Sequence, residues 1–171
     1  MTETATNYLS FLESAIRHSG LTKQEFLSNA KMHPVQYNTI QRKGSCLLKT
    51  AMRILNANGY VCVIKYEMKD DDNFQFVEEP IEKLFERDWT TYRYLTGLKN
   101  IFWQKGELTR RACEENGRDI RTLRNLFAKD NADIALIFGL AASAGYKARF
   151  VLKKDPEAAA IMLARLNENK N

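Results

Sequence analysis

The sequence predicts a mostly α protein made of two tandem units, each a set of short helices followed by one β-strand. Three observations carry this. Abundant Leu, Ala, Lys and Arg, with only eight Gly and three Pro in 171 residues, favour helix over a loop-rich sandwich. Apolar residues recur at the three- and four-residue spacing of amphipathic helices. The chain also repeats itself at an offset of 86 residues, and a repeat of that kind fixes the architecture before any single element is assigned.

The repeat is carried by two pairs of segments. Residues 9–20 (LSFLESAIRHSG) align with residues 95–106 (LTGLKNIFWQKG), matching Leu9 with Leu95, Leu12 with Leu98, Ile16 with Phe102 and Gly20 with Gly106. Both segments read as a helix stopped by glycine, which tolerates the left-handed conformation a helix end requires. Residues 48–60 align with 134–146, again a helix closed by glycine before Tyr60 or Tyr146. The β-branched and aromatic runs 60–67 and 146–153 then predict a strand in each unit.

Two shorter helices are expected between these anchors. In the first unit Thr22 is placed as an N-cap with Glu25 three residues later, the capping-box spacing, and Pro34 opens the next helix, in which Tyr37 and Ile40 face inward before Lys43-Gly44 ends it. In the second unit Leu108-Thr109 opens a helix, one residue out of step with Leu21-Thr22. Asn116-Gly117 turns the chain, and Asp119 caps a helix whose buried stripe is Ile120, Leu123, Leu126 and Phe127. In the connector, 74–77 alternates as a strand would and suggests a hairpin with 60–67; the alternative partner for 60–67 is the equivalent strand 146–153. A helix is expected from about Ile81. A final helix follows Pro156, with Ile161, Leu163 and Leu166 available to pack. The resulting division is 1–66, first repeat; 67–88, acidic connector; 89–153, second repeat; 154–171, C-terminal helix and tail.

Charge follows the same division. The net charge of +5 resolves into +5 over 1–66, −6 over 67–88 and +6 over 89–153, so two basic blocks flank an acidic connector. That distribution suits two modules that each meet a polyanion; unequally charged solvated surfaces are the plainer account. Cys46, Cys62 and Cys113 form no CxxC pair and read as core residues. His18 and His33 stand apart, so no metal or other cofactor is expected. No Ser/His/Asp arrangement or phosphate loop suggests an enzyme. The polar start and the lack of a long apolar stretch argue for a cytoplasmic protein without membrane contact. Trp89, Trp103, Tyr92, Tyr94 and Phe102 have helical spacing and are read as core, not as base-stacking residues.

Residues 20–26 (GLTKQEF) through 39–44 (TIQRKG), with Leu47-Leu48-Lys49 and residues 54–60 (ILNANGY), resemble the Xre/Cro-type helix–turn–helix family of phage repressors and HigA- or HipB-like antitoxins. The second unit resembles it more faintly, as a divergent tandem copy. Three departures stand out: Lys31 occupies the family's frequent turn glycine, which Gly117 restores in the second copy, Lys43 is inserted before Gly44, and Lys23 and Arg110 replace the family's frequent Gln at the start of the second helix. The resemblance implies two lambda-repressor-like bundles and a transcriptional regulator.

A short helix behind a tight turn can enter the major groove, where polar side chains read base edges while the preceding helix meets phosphate. In the first unit the expected DNA-binding residues are Lys23, Gln24, Gln36, Asn38, Thr39 and Lys43, with Val35 available for a thymine methyl. In the second they are Arg110, Arg111, Arg118, Arg121, Thr122, Arg124 and Asn125. Amides suit adenine and arginines suit guanine or phosphate, so the units are expected to read different half-sites. The partner expected is double-stranded DNA, bound by a single-chain pseudo-dimer or a homodimer. The competing reading is a protein-interaction module, with a toxin or a second copy as partner, in which Asp70–Asp72, Glu78 and Glu79 imitate the charge of DNA or rest on a basic face as an inhibitor.

Overall fold

The computed structural model describes residues 8–68, 81–104 and 106–168. The described residues are mostly helical, with a two-stranded antiparallel sheet. The elements are α1 (Ser10–Ser19), α2 (Lys23–Asn29), α3 (Pro34–Lys43), α4 (Leu48–Ala57), β1 (Tyr60–Met68), α5 (Ile81–Leu84), α6 (Thr96–Gln104), α7 (Gly106–Glu115), α8 (Ile120–Lys129), α9 (Ile134–Ser143), β2 (Tyr146–Lys154) and α10 (Pro156–Glu168). Their order repeats at the offset seen in the sequence. The bounds of α3 and α8, of α4 and α9, and of β1 and β2 all differ by 86 residues, and α2 and α7 end 86 apart at Asn29 and Glu115. The repeat therefore keeps one offset, without the one-residue slip suggested by Leu108-Thr109.

The start of the second pair differs from expectation. Gly106 does not stop α6 but is the first residue of α7, which opens ahead of Leu108-Thr109. In the first repeat Gly20 does close α1, at φ +74°, and Thr22 Oγ1 accepts from Glu25 N at 3.1 Å while donating to the Glu25 carboxylate at 2.9 Å. That local capping pins the start of α2. β1 pairs with β2; the expected strand at 74–77 lies outside the described residues. The helix expected from Ile81 is present as α5 and ends at Leu84.

Contacts divide the chain into two units: 1–62 with 133–135 and 152–171, and 63–132 with 136–151. In the first unit the apolar faces of α1, α2, α3 and α4 bury Leu9, Leu12, Phe26, Leu27, Tyr37, Leu48, Met52 and Leu55. α10 packs along α4, burying Ala158, Ala159, Met162 and Leu166; Ile161 is exposed and Leu163 half-buried, so the small residues of α10 make the close approach. Its start is fixed locally, since Asp155 N donates to Gly59 O at 2.9 Å and Asp155 Oδ1 accepts from Ala158 N at 3.1 Å. The same unit holds an antiparallel bridge between Leu47 and Asp133, equivalent positions of the repeat. Ser45 Oγ donates to Asp133 Oδ1 at 2.6 Å and accepts from Ala135 N at 2.9 Å, and Cys46 O accepts from Ile134 N at 2.9 Å.

The second unit is built around an aromatic run. Phe85, Trp89, Tyr92 and Tyr94 form a chain of ring contacts with centroids 6.3, 5.5 and 5.3 Å apart. Leu95, Leu98, Phe102, Leu123, Leu126, Ile137 and Leu140 complete the core. Of the aromatics expected inside, Trp103 is the exception, 83% exposed, and Ile120 leaves the expected stripe at 46% exposed. A Cβ on Gly139 would collide with the Asn116 side chain, which itself donates to Ala112 O at 2.8 Å and Ser143 Oγ at 3.0 Å, so α7 and α9 touch there without room for a methyl group.

Candidate nucleic-acid interface

The turn that presents α3 uses an unusual residue. Lys31 adopts φ +56°, a conformation that costs a residue with a Cβ about 1 kcal/mol. Gly117 takes the equivalent turn at φ +63° without that cost. Pro34 then occupies the first turn of α3, as expected, but the cap is His33: its Nδ1 accepts from Val35 N at 3.1 Å, and His33 N donates to Gln36 Oε1 at 3.1 Å. Sequence reasoning missed this capping box because histidine is not among the usual cap residues.

These contacts sort the expected residues of the first repeat. The Gln36 carbonyl is committed to the cap, and the Thr39 hydroxyl, half-buried, donates to Val35 O at 3.1 Å. Lys23 Nζ donates to Gln41 Oε1 at 2.8 Å and lies 4.9 Å from the centre of the Tyr37 ring. Gln24, Asn38 and Lys43 are exposed, as is Val35 at 61%. Tyr37 faces inward as expected. Burial, with Glu13 and Cys46 nearby, pushes its phenol up to about 12. Ile40 is only half-buried.

In the second repeat Asp119 caps α8 by accepting from Arg121 N at 2.9 Å. Leu123 and Leu126 are buried beneath the helix, while Arg118, Arg121, Thr122, Arg124 and Asn125 are exposed. The Arg121 guanidinium stands 3.9 Å from Asp119, both groups well exposed, a pairing that contributes little in water. Arg118 and Arg124 have no ion pair among the described residues. Arg110 is exposed, whereas Arg111 donates to Ser143 O at 3.0 Å and pairs with Glu115 at 3.7 Å, so it ties α7 to the end of α9.

The far end of α8 is held by residues the sequence did not single out. Arg93 donates to Phe127 O and Ala128 O, each at 2.8 Å. Asp130, at φ +52° in the position of Gly44, accepts from Tyr94 N and Leu95 N at 2.9 Å through its two carboxylate oxygens. A buried carboxylate is stable there because both oxygens meet backbone donors. The exposed arginine surface is thus anchored at both ends of the helix.

The cysteines are core residues. All three are free and buried; burial and the nearby Asp133 push the Cys46 thiol up to about 12, and burial also raises Cys113. Cys46 and Cys113 therefore stay protonated at neutral pH and are poor nucleophiles. Among the described residues no group of three His, Cys, Asp or Glu is placed to hold a metal ion, and no helix is long and apolar enough to cross a membrane. Comparison with family models, curated proteins and solved structures returns no match.

Proposed function

We propose that the chain is a sequence-specific double-stranded DNA-binding protein of the cytoplasm, a transcriptional regulator acting as a single-chain pseudo-dimer with α3 and α8 as its recognition helices. The observation that carries this reading is α8 with the turn before it: a capped helix, buried on Leu123 and Leu126, that leaves Arg121 and Arg124, and Arg118 in the turn, in solvent with a single weak ion pair among them. Arginines held that way can reach guanine edges or phosphates with no internal contact to break beyond the weak, exposed Arg121–Asp119 pair. α3 supports the same reading with different chemistry, since Asn38 offers an uncommitted amide among the described residues and Val35 an apolar contact.

Selection of bound duplexes from a random pool tests the proposal. It predicts a bipartite preferred site with two dissimilar halves, and affinity that falls steeply as salt rises. Replacing Arg121 and Arg124 with Ala should weaken binding by about tenfold or more, on the order of 1–3 kcal/mol per lost base contact. No binding at low salt, or binding indifferent to both arginines, overturns it.

A further inference from the structure

The second unit carries an open groove of about 550 Å³ between α6, α7 and α8. Its base is apolar: Phe102 and Leu123 are buried, and the half-buried Phe127 ring sits 6.4 Å from that of Phe102. Trp103 at 83% exposed and Ile120 at 46% add apolar surface at the edge, and the exposed Lys99 and Arg124 supply positive charge on α6 and α8. Neither cation has an ion pair among the described residues. An exposed tryptophan beside a buried and a half-buried phenylalanine is the composition of a protein-docking hot spot more than of a solvated helix.

The first repeat shows that this groove is not a by-product of the helix arrangement. The positions equivalent to Thr109, Leu123 and Phe127 are Lys23, Tyr37 and Gln41, where the lysine lies on the ring and donates to the amide. Those equivalent to Lys99, Trp103 and Arg124 are Glu13, Arg17 and Asn38. The second repeat has exchanged a polar, internally bonded surface for an apolar one flanked by cations.

We propose that this groove docks an acidic amphipathic helix of a partner protein, its bulky apolar residues entering between Phe102, Leu123 and Phe127 and its carboxylates meeting Lys99 and Arg124. Charge complementarity selects this occupant: an apolar groove with two cations that have no ion pair among the described residues favours acidic flanks and repels basic ones. Helix-in-groove recognition uses apolar anchors at i, i+3 or i+4 and i+7, and the side chains that line this groove come from three helices.

The full-length chain is titrated with a synthetic helix carrying Leu and Phe at those positions and Glu elsewhere, and with a version in which Lys replaces Glu. Trp89 is buried, so a shift in tryptophan emission reports on Trp103. The expected result is a saturable blue shift with the Glu helix, about tenfold tighter than with the Lys helix and weakened by salt. By anisotropy of a labelled helix, Trp103→Ala should lower affinity about tenfold, the loss typical of a hot-spot aromatic. The Lys99→Glu/Arg124→Glu double variant should reverse the preference between the two helices. All three substitutions are at exposed positions, and unchanged circular dichroism verifies folding. Absence of binding, equal affinity for both helices or an unaffected Trp103→Ala variant overturns the proposal. So does self-association of the chain that Trp103→Ala abolishes, which would make a second copy the occupant, or loss of duplex binding in that variant, which would give the groove to DNA. Failure of the chain to bind DNA leaves the docking proposal standing.

Discussion

The third helices of the two repeats have the same length, the same offset and different work. α3 spends much of its polar surface internally: Gln36 on the His33 cap, Thr39 on a backbone carbonyl, Gln41 on Lys23. α8 spends almost none, and its supporting contacts come from outside it, through Arg93 and Asp130 at its end. The difference teaches that a repeat can keep its backbone plan while moving the burden of stability from a helix's own side chains to its neighbours, which leaves the second helix free to present charge.

Asp130 is where that comparison breaks most sharply. Replacing it with Ala removes the acceptor for two buried backbone N–H groups and leaves the Cβ at φ +52° without the carboxylate that compensates for it, so a loss of about 3 kcal/mol is expected in chemical denaturation. Asp130→Gly restores what Gly44 has in the first repeat, conformational freedom without the carboxylate, and should recover only about 1 kcal/mol of the loss. Full recovery would show that the carboxylate contributes nothing.

Alkaline titration sharpens the contrast from the other side. Cys46 and Tyr37 are both raised to about 12 from 9.0 and 10.0, and their equivalents in the second repeat are Ala132 and Leu123, which do not ionise. Each group is neutral when protonated and loses its proton later in the folded than in the unfolded chain. The stability they contribute is therefore complete below pH 9 and is lost as pH rises toward 12, at up to about 1.4 kcal/mol per pH unit for each. Thermal melts between pH 8 and 11 should show the decline, and Cys46→Ala should remove a large part of it. A variant that declines as steeply as the parent would refute the assignment.

The smallest expected effect lies at the turn before α3. Lys31→Gly gives the first repeat the residue that Gly117 supplies in the second, and should raise stability by about 0.5 kcal/mol at most, relief of the positive φ being partly offset by the freer unfolded chain. A lower melting temperature would mean that the Lys31 side chain has a stabilising contact of its own.

Much of the fold was legible because its punctuation is local. Thr22 with Glu25, Pro34, Gly44 and Gly59 act within one or two turns, and each ended or began an element where expected. What failed depended on choices that periodicity does not make. Phe102 and Trp103 are neighbours on one helix, so only one can face the core, and nothing in their order says which. Ile120 stands at the first position of α8, where no preceding turn covers it. Gly106 could open a helix as readily as close one. The candidate arginines were legible as a cluster; that Arg111 bonds a distant helix end while Arg118 and Arg124 stay free of ion pairs among the described residues required coordinates.

The packing of α10 along α4 carries a consequence for biosynthesis. When the ribosome has delivered Tyr60, α4 exists but the surface that will cover it is still almost a hundred codons away, beyond the whole second repeat. α4 must wait, with an oily flank uncovered, until α10 has been made, so premature termination upstream of Pro156 would leave that flank exposed and prone to aggregate.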